Sequence, residues 1–167
     1  MRLRLRSVLF FVIPLLALSG PARADCVDPP GPGVDWTRCY FDERNFAGVD
    51  LSGAQLKDAT FSRGNLTDAD LSGAHASRAK FIHAELLRTQ FDGAKLRETD
   101  FTNADLRQAS FRGADLSRAR LFRADLRGAD FTEARMRGAD LLEADLSGAL
   151  WIDGRRRCAE GSIGQCR

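Results

Sequence analysis

The sequence predicts an all-β fold, a parallel β-helix with four sides, and three observations lead to that prediction. Large apolar residues stand at nearly every fifth position from Phe41 to Trp151, with no insertion or deletion. The position two residues before each of them is mostly alanine from Ala54 to Ala149. Phenylalanine and glycine also recur with a longer period of 20 residues, which corresponds to four pentapeptides.

The period of five fits neither an amphipathic helix nor a flat strand, whose periods are about 3.6 and 2. A fixed short repeat is typical of a solenoid. Residues two apart lie on the same side of an extended chain, so the alanine and the large residue share an interior while the other three residues turn a corner. The small residue leaves room for the large one. The residues predicted to form the middle of this core are Phe81, Leu86, Phe91, Leu96, Phe101, Leu106, Phe111 and Leu116.

The four sides follow from counting pentapeptides. We number them from their first central residues, which are Phe41 for side one, Phe46 for side two, Leu51 for side three and Leu56 for side four. Seven of the eight central phenylalanines then fall on sides one and three, which face each other. The column of Gly53, Gly73, Gly93 and Gly113 falls at the corner after side three, where it predicts a turn with positive φ.

The stretch 124–128 reads Ala-Asp-Leu-Arg-Gly, and the stretch 144–148 reads Ala-Asp-Leu-Ser-Gly. These runs resemble the pentapeptide-repeat family, whose pattern is alanine, aspartate or asparagine, leucine and two variable residues. The resemblance covers about residues 39 to 153. It implies a right-handed quadrilateral β-helix, and the length of the stretch gives nearly six coils.

Residues 1–24 predict a cleaved signal peptide. A segment with three arginines precedes an apolar stretch at 7–20, and the small residues of 22–24 form a cleavage signal. The apolar stretch is too short for a membrane span, which needs about 20 residues. A lipid anchor is disfavoured because Asp25 precedes Cys26. We expect a periplasmic or secreted protein, cleaved near Ala24–Asp25, with no membrane span after processing.

The cysteines flank the repeats and predict disulfides in an exported chain. Of three possible connectivities, Cys26–Cys39 and Cys158–Cys166 are favoured, because a long apolar solenoid would separate the two pairs. They would close an N-terminal cap at 25–40 and a C-terminal cap at 154–167, since the ends of solenoids need covering. Such caps resemble those of exported members of the family. A four-cysteine zinc site is the alternative, but the sequence has no Cys-x-x-Cys motif.

The ionisable residues predict no catalytic site, metal site or cofactor. His75 and His83 fall on the outside of adjacent sides without a matched ligand. The recurring aspartates belong to the repeat, and a short acid near a corner can bond the local backbone. The unbroken repeat leaves no long loop from which to build a concave site. We therefore expect the protein not to be an enzyme.

The charges predict two contrasting sides but no nucleic-acid partner. Without residues 1–24, the chain has 21 basic and 23 acidic residues, a net charge of −2. Side four is mainly basic and side three mainly acidic. Either these sides form cross-coil ion pairs on a solvated surface, or they dock a charged polymer or protein.

A column of apolar residues on the outside of side one, with one neighbour on side two, is a candidate interaction patch. Alternatively, the caps cover this column, or scattered apolar residues have no role. The residues of the patch are Ile82, Phe122 and Leu142 on side one and Leu87 on side two.

Two functions remain open at this stage. The first is an exported, non-catalytic structural or protein-interaction module, a rigid rod that presents polar sides to an unidentified protein or envelope polymer, and that could also form a homodimer. The second comes from the resemblance, because some cytoplasmic family members mimic DNA and bind type II topoisomerases. The signal peptide, the near-neutral charge and the basic side disfavour the second.

Overall fold

The computed structural model describes residues 26–167, so the predicted signal peptide and its cleavage site lie outside the described residues. The chain coils into a four-sided parallel β-helix. Parallel bridges join residues 20 positions apart, from Asp35 with Gln55 to Asp130 with Leu150. One coil therefore takes four pentapeptides, and the predicted architecture of nearly six coils is confirmed.

Each pentapeptide places its five amide groups in a fixed way, as the residues 71–75 illustrate. The amides of residues 71, 73 and 75 donate to carbonyls of the neighbouring coils at 2.7–2.8 Å. The amide of Ala74 closes the corner by donating to the carbonyl of Leu71 at 3.1 Å. The fifth amide, that of Ser72, has no backbone acceptor and donates to the carboxylate of Asp70 at 2.8 Å. The acid before the central residue is therefore a partner for the amide that the coil leaves over.

The same contact recurs along the rod and explains the acid in the repeat. Each aspartate that precedes a central residue accepts the amide two positions later, a local Asx contact. In two of the pentapeptides that lack this acid, an aspartate of the preceding coil replaces it: Asp42 accepts the amide of Ser62, and Asp92 accepts that of Arg112. The aspartates in the repeat position are Asp35, Asp50, Asp70, Asp100, Asp105, Asp115, Asp125, Asp130, Asp140 and Asp145.

The corners share one backbone conformation whatever residue occupies them. Gly53, Gly73, Gly93 and Gly113 have φ values of 65–67°, in agreement with the turn that the glycine column predicts. Non-glycine residues such as His83, with φ of 57°, occupy the same position of other corners. Positive φ at the third residue of a four-residue turn is the pattern of a type II turn. The glycine column therefore marks corners where positive φ costs least, but the other corners adopt the same conformation without glycine.

The core consists of two aromatic ladders with leucine between them. Phe61, Phe81 and Phe101 of side one stack at ring distances of 5.2 Å. The phenylalanines of side three stack at the same distance, and the two ladders meet edge to face at 5.7–6.1 Å. All eight residues assigned to the middle of the core from the sequence are fully buried.

The regular coil begins before the stretch counted from the sequence. Its first corner joins the amide of Val34 to the carbonyl of Gly31, and Trp36 already occupies a central position with its amide bonded to the carbonyl of Gln55 at 2.8 Å. Cys39 then takes the place of a core alanine and is fully buried. Residues 31–40, counted as part of the N-terminal cap, thus adopt the coil conformation.

Both disulfides are the local ones. Cys26 bonds Cys39 and Cys158 bonds Cys166, with sequence separations of 13 and 8 residues. After Gly154 the chain reverses and pairs antiparallel with the last coil, Asp145 with Ile163 and Leu150 with Arg157. Within residues 26–167, no helix is long and apolar enough to cross a membrane.

Candidate interaction surfaces

A shallow polar groove runs across side four. Its volume is about 350 Å³. Only polar and charged side chains line it. They are Thr37, Gln55, Lys57, His75, Ser77, Arg78, Lys95, Arg97 and Glu98.

Three residues that line this groove have backbone amides with no hydrogen-bond acceptor among the described residues. Gln55, His75 and Lys95 stand where half of the pentapeptides have aspartate or asparagine. Consequently the amides two positions later receive no carboxylate, and within the described part of the chain they donate to no acceptor. These amides belong to Lys57, Ser77 and Arg97, which lie one above another on consecutive coils.

The cations of the groove are only partly neutralised. Arg78 forms a two-pronged ion pair with Asp58 at 2.7 and 2.8 Å, and Arg97 approaches Asp115 at 3.5 Å. The hydrogen bond from Arg78 holds the pKa of Asp58 below its ordinary value. Lys57 and Lys95 have no ion pair within residues 26–167. The groove is therefore a positively charged surface with free donors.

The other sides follow the pattern of a solvated surface with cross-coil pairing. On side two, Arg107 bonds Asp105 at 2.6 Å and approaches Asp125 at 3.7 Å. Arg127 repeats this arrangement with Asp125 and Asp145. Exposed ion pairs of this kind contribute little to stability, because solvent screens them.

The acidic residues of side three are largely engaged within the coil. Asp130 accepts a hydrogen bond from the amide of Thr132 at 2.8 Å and forms an ion pair with Arg112 at 2.9 Å. Hydrogen bonds from the side chain and amide of Ser52 lower the pKa of Asp50. These carboxylates remain charged, but their primary contacts are structural.

The proposed apolar patch is only partly assembled. Leu142 is 62% exposed, whereas Ile82, Leu87 and Phe122 are half-buried. Phe122 and Leu142 lie on adjacent coils, because the amide of Arg123 donates to the carbonyl of Leu142. The Arg123 guanidinium covers the Phe122 ring at 4.7 Å. The structure therefore brings Phe122 and Leu142 together and leaves Ile82 two coils away.

The histidines differ in their surroundings. His75 is half-buried in the groove, and His83 is exposed at a corner. Across residues 26–167, no group of three or more histidine, cysteine or acidic side chains could hold a metal ion.

The sequence predicts the basic side four but does not reveal its unpaired amides. The signal was present in the column that precedes the central residues of side four, where Gln55, His75 and Lys95 interrupt the acids. This column predicts unpaired amides only when the structure has shown that the fifth amide of each pentapeptide donates to that acid.

The fold defines a class of protein, the repeat solenoid, in which each coil contacts only its neighbours. The profile of the pentapeptide repeats matches with 8 copies, at residues 33–63, 64–97, 74–113, 84–121 and 114–150. The chain belongs to the pentapeptide-repeat family, whose β-helix is right-handed.

Solved structures of other family members are similar. HetL, a pentapeptide repeat protein involved in heterocyst differentiation regulation from the cyanobacterium Nostoc sp. strain PCC 7120, is 32% identical with a TM-score of 0.50. The match covers 73% of this chain and 63% of HetL, so the chain spans less than two thirds of that relative. A trypsin-treated form of QnrB1, a plasmid-mediated fluoroquinolone resistance protein, is 24% identical with a TM-score of 0.49, over 71% of this chain and 69% of QnrB1. The comparison with curated proteins finds no match.

Proposed function

We propose that this protein is an exported, non-catalytic interaction module, a disulfide-capped rod that offers its lateral sides to a partner in the periplasm or outside the cell. The observation that carries the proposal is the pair of local disulfides, one at each end of the solenoid. Such bonds form and persist in oxidising compartments. The basic and apolar pattern of residues 1–24 supports the same compartment.

The surface supports interaction over catalysis. The groove of side four is polar and shallow, unlike the apolar clefts with a few convergent polar groups in which enzymes bind small substrates. A rigid rod keeps the donors of successive coils at a fixed spacing of about 4.8 Å. This geometry suits a partner that repeats along its own length or presents a flat surface.

The test is expression of the full chain in a Gram-negative host, followed by fractionation and N-terminal sequencing. We expect a periplasmic or secreted product that begins at Asp25, with both disulfides found by non-reducing peptide mapping. Ala24→Arg is the matched control, because it should block cleavage without touching residues 26–167. A cytoplasmic product with four free thiols would refute export.

The acidic side three supports a second candidate, inhibition of a type II topoisomerase by mimicry of DNA. This function requires a cytoplasmic location and a strongly acidic rod, whereas residues 25–167 have a net charge of −2 and a basic side four. A supercoiling assay with purified gyrase separates the two candidates. Under the first proposal, the protein should leave supercoiling unchanged.

A further inference from the structure

The C-terminal end of the rod is closed on only two of its four sides. The amides of Leu146 and Trp151 donate to carbonyls of the cap at 2.9 and 2.8 Å, which closes sides two and three. On sides four and one, the cap reaches only the corner at Ala144, and the amides of Met136 and Leu141 have no acceptor among the described residues. The cap therefore forms a step above the uncovered half of the last coil.

The uncovered half also leaves part of the apolar core open. Met136, Ala139 and Leu141 are partly exposed, whereas their counterparts one coil earlier are fully buried. Two further apolar side chains lie beside this opening, Leu142 with 62% exposure and Ile163 of the cap with 47%. The central residues of the first coil at the N-terminal end are all buried. The C-terminal end is therefore the one at which the core lacks a complete cover.

A half-covered end is complementary to a second copy of itself. The cap covers two adjacent sides, and the uncovered half consists of the other two. Two such ends fit face to face around a two-fold axis that is perpendicular to the rod and passes through the corner between sides one and two. Each cap then fills the step of the other copy. Contacts in which both copies use the same surface are the commonest in soluble homo-oligomers.

We propose that the protein forms a dimer through its C-terminal ends, in which the cap of each copy covers sides four and one of the other. The axis passes close to Ile163, because its bridge to Asp145 places it over the corner between sides one and two. The two copies of Ile163 thus meet at the axis, with Leu142 beside them. A partner with a flat surface would contact the cap alone and leave the core open, whereas a second copy supplies the matching step.

The same symmetry brings opposite charges together. One pentapeptide is a quarter of a coil, so Asp140 and Leu150 lie a quarter turn before and after Asp145. The axis at the corner of Asp145 exchanges their places. Arg157 of the cap bridges Leu150 and therefore lies over Asp140 of the partner subunit. Both side chains are exposed, and neither has an ion pair among the described residues.

The experiment is sedimentation equilibrium of the purified, disulfide-bonded protein, with charge reversal at this pair. Asp140→Arg and Arg157→Asp each turn two attractive contacts of the dimer into repulsive ones and should raise the dimer Kd by about tenfold or more. The double variant exchanges the two charges and should return the Kd to within about threefold of the unsubstituted protein. Arginine is compatible with position 140, because Arg120 occupies the same column one coil earlier.

Ile163→Ser and Ile152→Ser form a matched pair that tests the apolar contact. Their side chains are 47% and 42% exposed, and both lie at the C-terminal end. Ile152 lies on side three, which the chain's own cap covers, so only Ile163 reaches the axis. Ile163→Ser should raise the Kd by about fivefold or more, because it removes two apolar side chains from the contact, and Ile152→Ser should leave it within about twofold.

Three results would overturn the proposal. The first is a protein that stays monomeric at all concentrations measured. The second is a dimer whose Kd neither charge reversal changes, which would assign the association to another surface, such as the apolar column of side one. The third is a double variant that dimerises no better than the single variants, which would show that the two groups do not meet. The inference goes beyond the proposed function and does not depend on export, because the measurement uses purified protein.

Discussion

The two ends of the rod are closed by disulfides of similar size but are covered very differently. At the N-terminal end, Trp36 lies inside the coil, is 1% exposed, and packs on Phe41 and Phe46 at 4.3 and 5.4 Å. Its indole nitrogen donates to the carbonyl of Asp28 at 3.3 Å. One aromatic residue in a central position thus seals the first layer of the core.

At the C-terminal end, the cap is a strand laid against the edge of the last coil. It pairs with sides two and three, while Met136 of side four and Leu141 of side one remain partly exposed. The amides of Met136, Gly138 and Leu141 have no partner within the described residues. At the N-terminal end, a ring in the core covers the apolar interior but leaves edge amides such as those of Tyr40 and Asn45 without a partner among the described residues. At the C-terminal end, the strand satisfies the edge on the two sides that it crosses and leaves the core partly exposed on the others.

The largest expected effect comes from removing the two tryptophans. Trp36→Ala should lower the free energy of unfolding by about 3–5 kcal/mol, the usual cost for a fully buried aromatic residue. Trp151→Ala should cost less than about 3 kcal/mol, because its side chain is only partly buried. Urea denaturation measures both.

Leu106→Ala, in the middle of the rod, is the reference for this comparison and should cost about 2–5 kcal/mol. Equal costs for Trp36→Ala and Trp151→Ala would show that the two ends are equally sealed in solution.

The next effect concerns the disulfides. The loop-entropy relation gives about 3 kcal/mol for closing loops of this length, so Cys26→Ser/Cys39→Ala and Cys158→Ser/Cys166→Ser should destabilise similarly. Alanine suits position 39, because Cys39 occupies a core position that is alanine in most coils. Hydrogen exchange should differ: loss of the C-terminal bond should expose the last coil, and loss of the N-terminal bond should leave most protection around Trp36. Identical exchange patterns in the two variants would contradict the contrast between the ends.

Acid should open the C-terminal end. Hydrogen bonds from the amides of Arg156 and Arg155 lower the pKa of Asp153, where the chain turns into the cap. A depressed pKa in the folded state means that the carboxylate stabilises the fold above its unfolded pKa of about 3.9, and that this stability is lost as the pH falls through the folded value. The protection factors of the cap amides, corrected for the intrinsic exchange rate at each pH, should fall below about pH 4, and Asp153→Ala should show low protection already at neutral pH.

The smallest effect is expected on the surface of side one. Ile82→Ser, Phe122→Ser and Leu142→Ser together should change the free energy of unfolding by much less than one core substitution. Leu142 lies at the partly covered end, so Leu142→Ser alone should account for any loss of self-association in sedimentation experiments. If Ile82→Ser alone reduced self-association equally, the molecules would associate through the whole apolar column of side one and not through the C-terminal end of the rod.

Much of the architecture could be predicted because the same pattern of buried residues and corners recurs every five residues. Phe101 and Leu106 are buried for the same reason as every residue five positions away, and the corner at Gly93 has the conformation of the corner at His83. The caps occur once and carry no period, so the antiparallel return of Ile163 to Asp145 could not be read from spacing. The groove could not be found either, because the apolar period reports where side chains point and not which amides lack an acceptor.

The 20-residue coil has a consequence for how such a chain can change in length. Removing five residues between two coils would turn everything downstream by a quarter of a circle, so that Lys95 would no longer lie in line with Gln55, nor Arg97 with Lys57. Removing 20 residues would delete one coil and leave every column in line. Length variants that keep the groove of side four intact should therefore differ by whole coils, and a residue's number alone gives its direction around the axis.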